Sequence, residues 1–551
     1  MNVHDSQQWI IWGVIALGLI LLASFLIPFL RQSTNETLRT EHCSMMPGMA
    51  GCEQYRGQYQ ETSDLFDRSI IGLASAQETT DYEATPSQTM QLSADIIKKE
   101  IKEKEIRMFG YNGQIPGPLI KVNQGDTLYV NFTNNLDQET TVHWHGLRLE
   151  NANDGVPGLT QEPVQPGQSF MYKLDFPDAG VYWYHPHVRE DYQQELGLYG
   201  NIFVEPTEGT LLAPVNTESF IFLDDIQLGS NGDITPVYTQ KIDQVLMGRF
   251  GNTLLVNGKT SYDLTVKKGE VVRFYLTNSA NTRVFNVSIS GAQVKLIGND
   301  GGFYEQESWT DSVIIAPSER RVIEAYFNQP GTYELQHVNP LETYTLGTIT
   351  VLPTSVEKSY ASSFVTLKDK ASVQAETEPL RSYLTQAPDA SFKLTIQFPG
   401  MQGMGGHGMM GMMHGAEDGG IEWEDTMQPM NIASSNRTVN WEIVDERTGK
   451  ANEAIEYQWK VGDKVKIRLF NDPDSMHPMH HPIHLHGQRF VVLSVDGVPN
   501  DNLVWKDTVL VPTGSTVDLL MEITNPGEWM AHCHIAEHLS DGMMFMFEVD
   551  A

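Results

Sequence analysis

Eleven of the 17 histidines in this chain fall into four short runs. They are HWHG (143–146), HPH (185–187), HHPIHLHG (480–487) and HCHIAEHLSDGM (532–543). In an extended strand, side chains at i and i+2 share a face and i+1 points the other way. His143 and His145 therefore point together, with Trp144 opposite, and the same holds for His185 and His187. In the third run His484 and His486 share a face and His481 has the opposite parity. In the fourth, His532 and His534 flank Cys533, which faces away from both. Pleat parity thus lets His481 meet Cys533 on one side, and His484, His486, His532 and His534 meet on the other.

The Cys533 side has a definite chemistry. Two imidazoles, one thiolate and a weak axial thioether make a blue-copper electron-transfer site. Here they would be His481, Cys533, His538 and Met543, with the spacing C-x4-H-x4-M suiting a loop that folds back onto a strand end. Zinc prefers more thiolates or a closed tetrahedral set and has no redox use for a thioether. The other side gathers eight imidazoles, His143, His145, His185, His187, His484, His486, His532 and His534. Eight neutral nitrogens are too many for one ion and suit three copper ions. Cys533 is bonded through backbone to both His532 and His534, so an electron has a short covalent route to the cluster, where dioxygen can take four. One H-x-H pair alone is as readily incidental or a zinc site. Four in this order, with a Cys-His-Met tail, are far from chance.

These ligands need strands to carry them. From about residue 91, short runs rich in Val, Ile, Thr, Tyr and Phe alternate with turn signals such as YNGQIPGP (111–118), VNQGD (122–126) and VQPGQ (164–168). That spacing predicts β-sandwiches. The texture recurs over 207–355 and 430–551, so the chain reads as all-β, with sandwiches over 91–206, 207–355 and 356–551. The third stretch opens with a linker of about 355–390 and contains a methionine-rich insertion at 401–415. The middle sandwich offers His337 and little else to a transition metal, and a satisfied structural histidine is the expectation there.

Residues 6–30 carry no charge, and Trp9 to Leu30 are long enough to span a bilayer of about 30 Å. Residues 1–32 therefore read as one N-terminal transmembrane helix, a cleaved signal being the alternative, and 33–90 as a polar tether. Lys plus Arg total 37 against 70 Asp plus Glu, a net charge of −33. That excludes nucleic acid as a partner, since a polyanion is repelled. Three cysteines exclude a disulfide scaffold.

With these motifs in place, the chain resembles the three-domain multicopper oxidases, the group that includes laccases and bacterial cuprous oxidases. NGQIPGPLIKVNQGD, HWHG, DGVPG, YWYHPHV, HPIHLHGQRF and HCHIAEHLSDGM match the family's signatures, over about 91–355 and 430–551. The resemblance implies three cupredoxin-like Greek-key sandwiches with a trinuclear site between the first and third. It implies His481, Cys533, His538 and Met543 as type 1 ligands. His143 and His484 match the type 2 ligands, and His145, His185, His187, His486, His532 and His534 the type 3 pair. Asp154 stands where the family often has an acid that orients a bound water and relays protons. The family's bacterial members often carry Glu directly after the position of His538. This chain has Leu539, with Glu537 and Asp541 as nearby substitutes.

The expected reaction oxidises a donor one electron at a time and reduces dioxygen to water, with four copper ions as cofactors. Two tracts point to the donor. MQGMGGHGMMGMMHG (401–415) holds six methionines and two histidines, and EHCSMMPGMAGC (41–52) adds three methionines, Cys43 and Cys52. A glycine-rich run cannot pack as a core, and thioethers prefer Cu(I). Cuprous ion in copper tolerance is the first reading, with Met476 and Met479 at the inner end of its route. Laccase-type oxidation of phenols, amines, Mn(II) or Fe(II) is the second, and a copper storage or delivery protein the third. Cys43 and Cys52 could form a disulfide or bind copper. Copper loading and a disulfide option place the catalytic domains outside the cytoplasm, membrane-anchored or secreted.

Overall fold

The computed structural model describes residues 69–551, except 86–87, 208, 210, 230–241 and 400–418. The expected N-terminal span, the Cys43/Cys52 tract and the methionine-rich run 401–415 lie outside the described residues. Among the described residues, no helix is long and apolar enough to cross a membrane.

The described chain is mostly strand, arranged in six sheets. They pair face to face as three sandwiches in three sequence blocks. Each block encloses its own apolar core, centred on residues such as Phe132 and Trp183, Phe274 and Ile323, and Phe392 and Leu519. Strand alternation builds them. Along Thr127–Asn134, Leu128, Val130 and Phe132 are buried while Tyr129 is exposed. Strands of this kind bury one face and wet the other.

The ligand-bearing strands are different. His143–His145, Gly180–His185 and His481–Leu485 are buried at every position. One face of each fills its own sandwich, and the other is covered by a neighbouring sandwich. His143–His145 pairs antiparallel with Gly180–His185, setting His143 opposite His185. His481–Leu485 pairs antiparallel with Gly527–Cys533, setting His484 opposite His532 and Ile483 opposite Cys533. Residues directly opposite share a face, so this register puts imidazoles on one side of the sheet and the thiol on the other.

Stretch 356–390, expected as a linker, is a packed connection. It forms the short helices Ala361–Phe364 and Ala371–Thr377 and a 3-10 turn over Glu378–Tyr383. Leu380, Tyr383 and Leu384 pack against Leu493 and Trp505 of the third sandwich, and buried Lys370 pairs with Glu307 of the middle one at 3.1 Å. Those apolar and charged anchors hold the segment down where a tether would be polar throughout.

Candidate metal centre

Between the first and third sandwiches, the eight imidazoles assigned from strand parity converge. The His143 and His486 rings lie 4.1 Å apart, the His145 and His484 rings stack at 3.8 Å, and Nε2 of His486 lies 3.0 Å from Nε2 of His532. Several triplets, including His143–His145–His185 and His187–His486–His532, bring their nitrogens within 4.8 Å of one another. All eight are buried.

What holds each ring is visible at its outer nitrogen. His143 Nδ1 lies 2.8 Å from the Asp154 carbonyl, His185 Nδ1 2.8 Å from that of Pro186, His484 Nδ1 2.9 Å from that of Asp507, and His532 Nδ1 2.9 Å from that of Cys533. His486 Nδ1 lies 2.8 Å from Asp154 Oδ2. Carbonyls and carboxylates accept, so these nitrogens carry the proton and the opposite ones keep a lone pair. Those opposite atoms, Nε2 of His143, His185 and His484, are buried with no hydrogen-bond partner, as are Nε2 of His187 and His534. Buried polar atoms are rarely left unpaired, and several lone pairs turned to one point fit a metal cluster.

Electrostatics agrees. Burial, reinforced by neighbouring imidazoles, pulls His145, His185, His187, His484, His486 and His534 well below the usual imidazole range. Burial also brings His532 down to about 4. These seven rings are thus neutral at physiological pH, the form that ligates metal.

On the opposite face, Cys533 turns into the core of the third sandwich. Its Sγ lies 3.5 Å from His481 Nδ1 and 3.8 Å from His538 Nδ1. Ligand bonds of about 2.0 Å to nitrogen and about 2.3 Å to sulfur, at an angle near 110–120°, leave about 3.5–3.7 Å between the ligand atoms. The pair distances therefore fit one shared ion. Gly542, in the left-handed region at φ 103°, ends helix Ala536–Asp541 and turns the chain back. The Cys533 N–H then donates to the Met543 carbonyl at 3.1 Å, and buried Met543 joins the same cluster as Cys533. Burial pushes the Cys533 thiol up, so a thiolate there needs a cation beside it.

Asp154 is fully buried and spans the two sandwiches, its carboxylate on His486 of the third and its carbonyl on His143 of the first. The side chains near Leu539 take other places. Leu539 packs with Val156, Met530 and Met544. Asp541 accepts the backbone N–H of Trp441 at 2.8 Å, and Glu537 accepts Asn281 Nδ2 at 3.1 Å. His337, in the middle sandwich, takes the Asn286 N–H on Nδ1 at 3.0 Å. Met479 lies fully buried in the core and Met476 is packed against it.

Sequence reasoning missed several neighbours of the site. Glu190 Oε1 stands 3.2 Å from His187 Nδ1, and Asp507 Oδ1 stands 3.0 Å from His145 Nε2. Trp441 stacks on His538 at 4.3 Å and meets His481 edge-on at 4.8 Å. His477 Nε2 lies 3.0 Å from Met247 Sδ, both buried. The signal for Asp507 was a lone carboxylate in the apolar run LVWKDTVLV (503–511), a placement that demands a partner. For Met247 no local pattern exists.

Family models described as multicopper oxidase match residues 95–209, 232–351 and 423–551, together well over half of the chain. A multicopper oxidase of Staphylococcus aureus is 29% identical over 451 residues, covering 80% of this chain and 83% of that protein. Laccase-1 of Botryotinia fuckeliana is 28% identical, covering 87% of this chain and 85% of its own. The crystal structure of a multicopper oxidase from Pseudomonas thermotolerans superposes with a TM-score of 0.62 at 27% identity, covering 86% of this chain and all of that one. The superposition extends over the three sandwiches, and copper is the cofactor that this kinship implies. The chain belongs to the multicopper oxidase family and is an oxidase.

Proposed function

We propose that this enzyme couples one-electron oxidation of a donor to four-electron reduction of dioxygen to water, using four copper ions. The observation that carries this reading is the tripeptide 532–534. Cys533 turns toward His481 and His538, while His532 and His534 turn into the eight-imidazole nest. In this reading His481, Cys533, His538 and Met543 hold one copper, and His143 and His484 hold the type 2 copper. His145, His185, His187, His486, His532 and His534 hold the type 3 pair. Bound copper supplies the one-electron chemistry that no side chain here can provide. The chain supplies the rest. Two peptide links join the sulfur to the nest, the core around Cys533 excludes water, and Asp154 orients His486 and holds a carboxylate beside the nest for protons.

The donor is cuprous ion. Met247 and His477 offer a thioether and an imidazole 3.0 Å apart, the soft pairing that favours Cu(I). Trp441 lies between, with ring centroids 6.2 Å from His477 and 4.8 Å from His481. Helix Gln428–Ala433 fixes Met247 from outside, Asn431 Oδ1 accepting its N–H at 3.0 Å. The methionine-rich run 401–415 precedes this helix in sequence and feeds cuprous ion toward it. Residues 9–30 anchor the chain with its catalytic domains outside the cytoplasm, where copper is handled.

The test is steady-state dioxygen uptake with Cu(I) and with a phenol, on intact protein, on protein lacking 401–415, and on Met247→Leu with His477→Gln. Cuprous uptake should fall about tenfold or more in both altered proteins, as for loss of soft-metal partners, with phenol turnover kept or raised. Unchanged cuprous kinetics would refute the donor and leave a laccase-type substrate. No uptake with any donor, in fully copper-loaded protein, would favour copper storage.

A further inference from the structure

One imidazole of the nest is inverted. His145 turns Nε2 outward, 3.0 Å from both Asp507 Oδ1 and Thr508 Oγ1, and leaves Nδ1 buried without a hydrogen-bond partner. His143, His185 and His484 do the reverse, keeping Nε2 inward. An imidazole presents whichever nitrogen its other hydrogen bond leaves free. Asp507, together with the Thr508 hydroxyl that donates to it at 2.9 Å, therefore decides which atom of His145 faces the nest.

Asp507 is itself held, and by the sandwich that supplies no imidazole to the nest. Arg320, on the middle-sandwich strand Arg320–Phe327, is fully buried. Its Nη1 donates to Asp507 Oδ1 at 2.7 Å and its Nη2 to Oδ2 at 2.5 Å. Its Nε donates to the Val181 carbonyl of the first sandwich at 2.8 Å. One guanidinium thus joins all three sandwiches behind the nest. Such a fork fixes both carboxylate oxygens at once, which a lysine cannot do. The HWHG motif makes room for it. Gly146 sits at φ +84°, and a Cβ there would lie 2.3 Å from Asp507 Oδ2 and 3.0 Å from Arg320 Nη2.

We infer that Arg320 is a positioning residue through which the middle sandwich sets the nest: it fixes the Asp507 carboxylate, and that carboxylate holds His145 with Nδ1 turned inward. The inference rests on the copper reading of the nest. Without Arg320, Asp507 is a buried anion lacking its counter-charge, and it must turn to another partner or take a proton. Either change frees His145 to rotate.

The experiment compares intact protein with Arg320→Lys, Arg320→Met and Asp507→Asn, each loaded with copper. Copper per chain, absorbance near 600 nm and the type 2 paramagnetic resonance signal are recorded; His145 stacks on the type 2 ligand His484 at 3.8 Å, so its rotation reaches that signal. The near-600 nm band reports Cys533, which turns to the opposite face of the sheet from the nest, and serves as the internal check on folding. Arg320→Met and Asp507→Asn should keep that band, hold fewer than about four copper ions and show an altered type 2 signal. Arg320→Lys, which keeps the charge but loses the fork, should retain more copper with the signal still altered. A folded Arg320→Met protein with full copper and an unchanged signal overturns the inference. If Arg320→Met gives no near-600 nm band, Arg320→Lys decides, and an unchanged type 2 signal there overturns it. Intact protein that is colourless or takes one metal would instead defeat the copper reading itself.

Discussion

The site around Cys533 draws on one sandwich, whereas the histidine nest exists only where two sandwiches meet and a third braces them. His481, Cys533 and His538 come from two strands and a short helix of the same core and Met543 from the turn that follows the helix, and Trp441 packs over them from within it. The nest takes four rings from each of two sandwiches, with Asp154 bridging the seam. Local folding suffices for the first site; the second requires docking. The two therefore fail in different ways.

The sharpest way to separate them is Cys533→Ser. It removes the thiolate but leaves the flanking imidazoles in place. The near-600 nm band should vanish and dioxygen uptake with every donor should fall by about 10³-fold or more, while about three copper ions remain bound. Asp154→Asn attacks the seam instead. It keeps the shape but removes the negative charge that orients His486, and should lower turnover or nest copper content about 10- to 100-fold with the near-600 nm band intact. Loss of the band in that variant would mean that the two sites are not independent.

Acid acts on both sites more gently, in copper-free protein, since burial holds His481 and His538 low as it does the nest. Buried imidazoles held below their unfolded range bind fewer protons than the unfolded chain does. Stability should therefore fall as pH drops from about 6.5 through about 4, the level to which His532 is brought down. Thermal unfolding should show its midpoint dropping by about 5 °C or more across that window, since several rings act together. Copper loading should abolish most of the dependence, because bound metal keeps the rings unprotonated. The smallest effect is expected from Trp441→Phe. A ring over His538 remains, while the indole's reach and its N–H bond to the Val245 carbonyl at 2.8 Å are lost, so turnover should change less than about threefold, with a small displacement of the near-600 nm band.

The readability of the sequence follows the same divide. Which imidazoles share a face was legible because pleat parity is local; in the structure His484 stands opposite His532. The return of the chain to Met543 was legible from C-x4-H-x4-M, though not that Gly542 makes the turn. Arg320 against Asp507 was hidden, because they stand 187 positions apart: Asp507 in its apolar run calls for a partner without naming one, and Arg320 reads alone as an ordinary surface charge. Met247 beside His477 was hidden for the same reason, with 230 residues between. The stretch 356–390 reads as a linker because its anchoring side chains, Leu380 and Lys370 among them, are few and widely spaced.

The central claim is that one tripeptide serves a lone metal on one face and a three-metal nest on the other. Its most direct test is metal analysis of copper-loaded protein with its visible and paramagnetic resonance spectra. The account predicts about four copper ions per chain, absorbance near 600 nm, and two distinct resonance signals of equal weight. Colourless protein, or about one metal ion per chain, would contradict it.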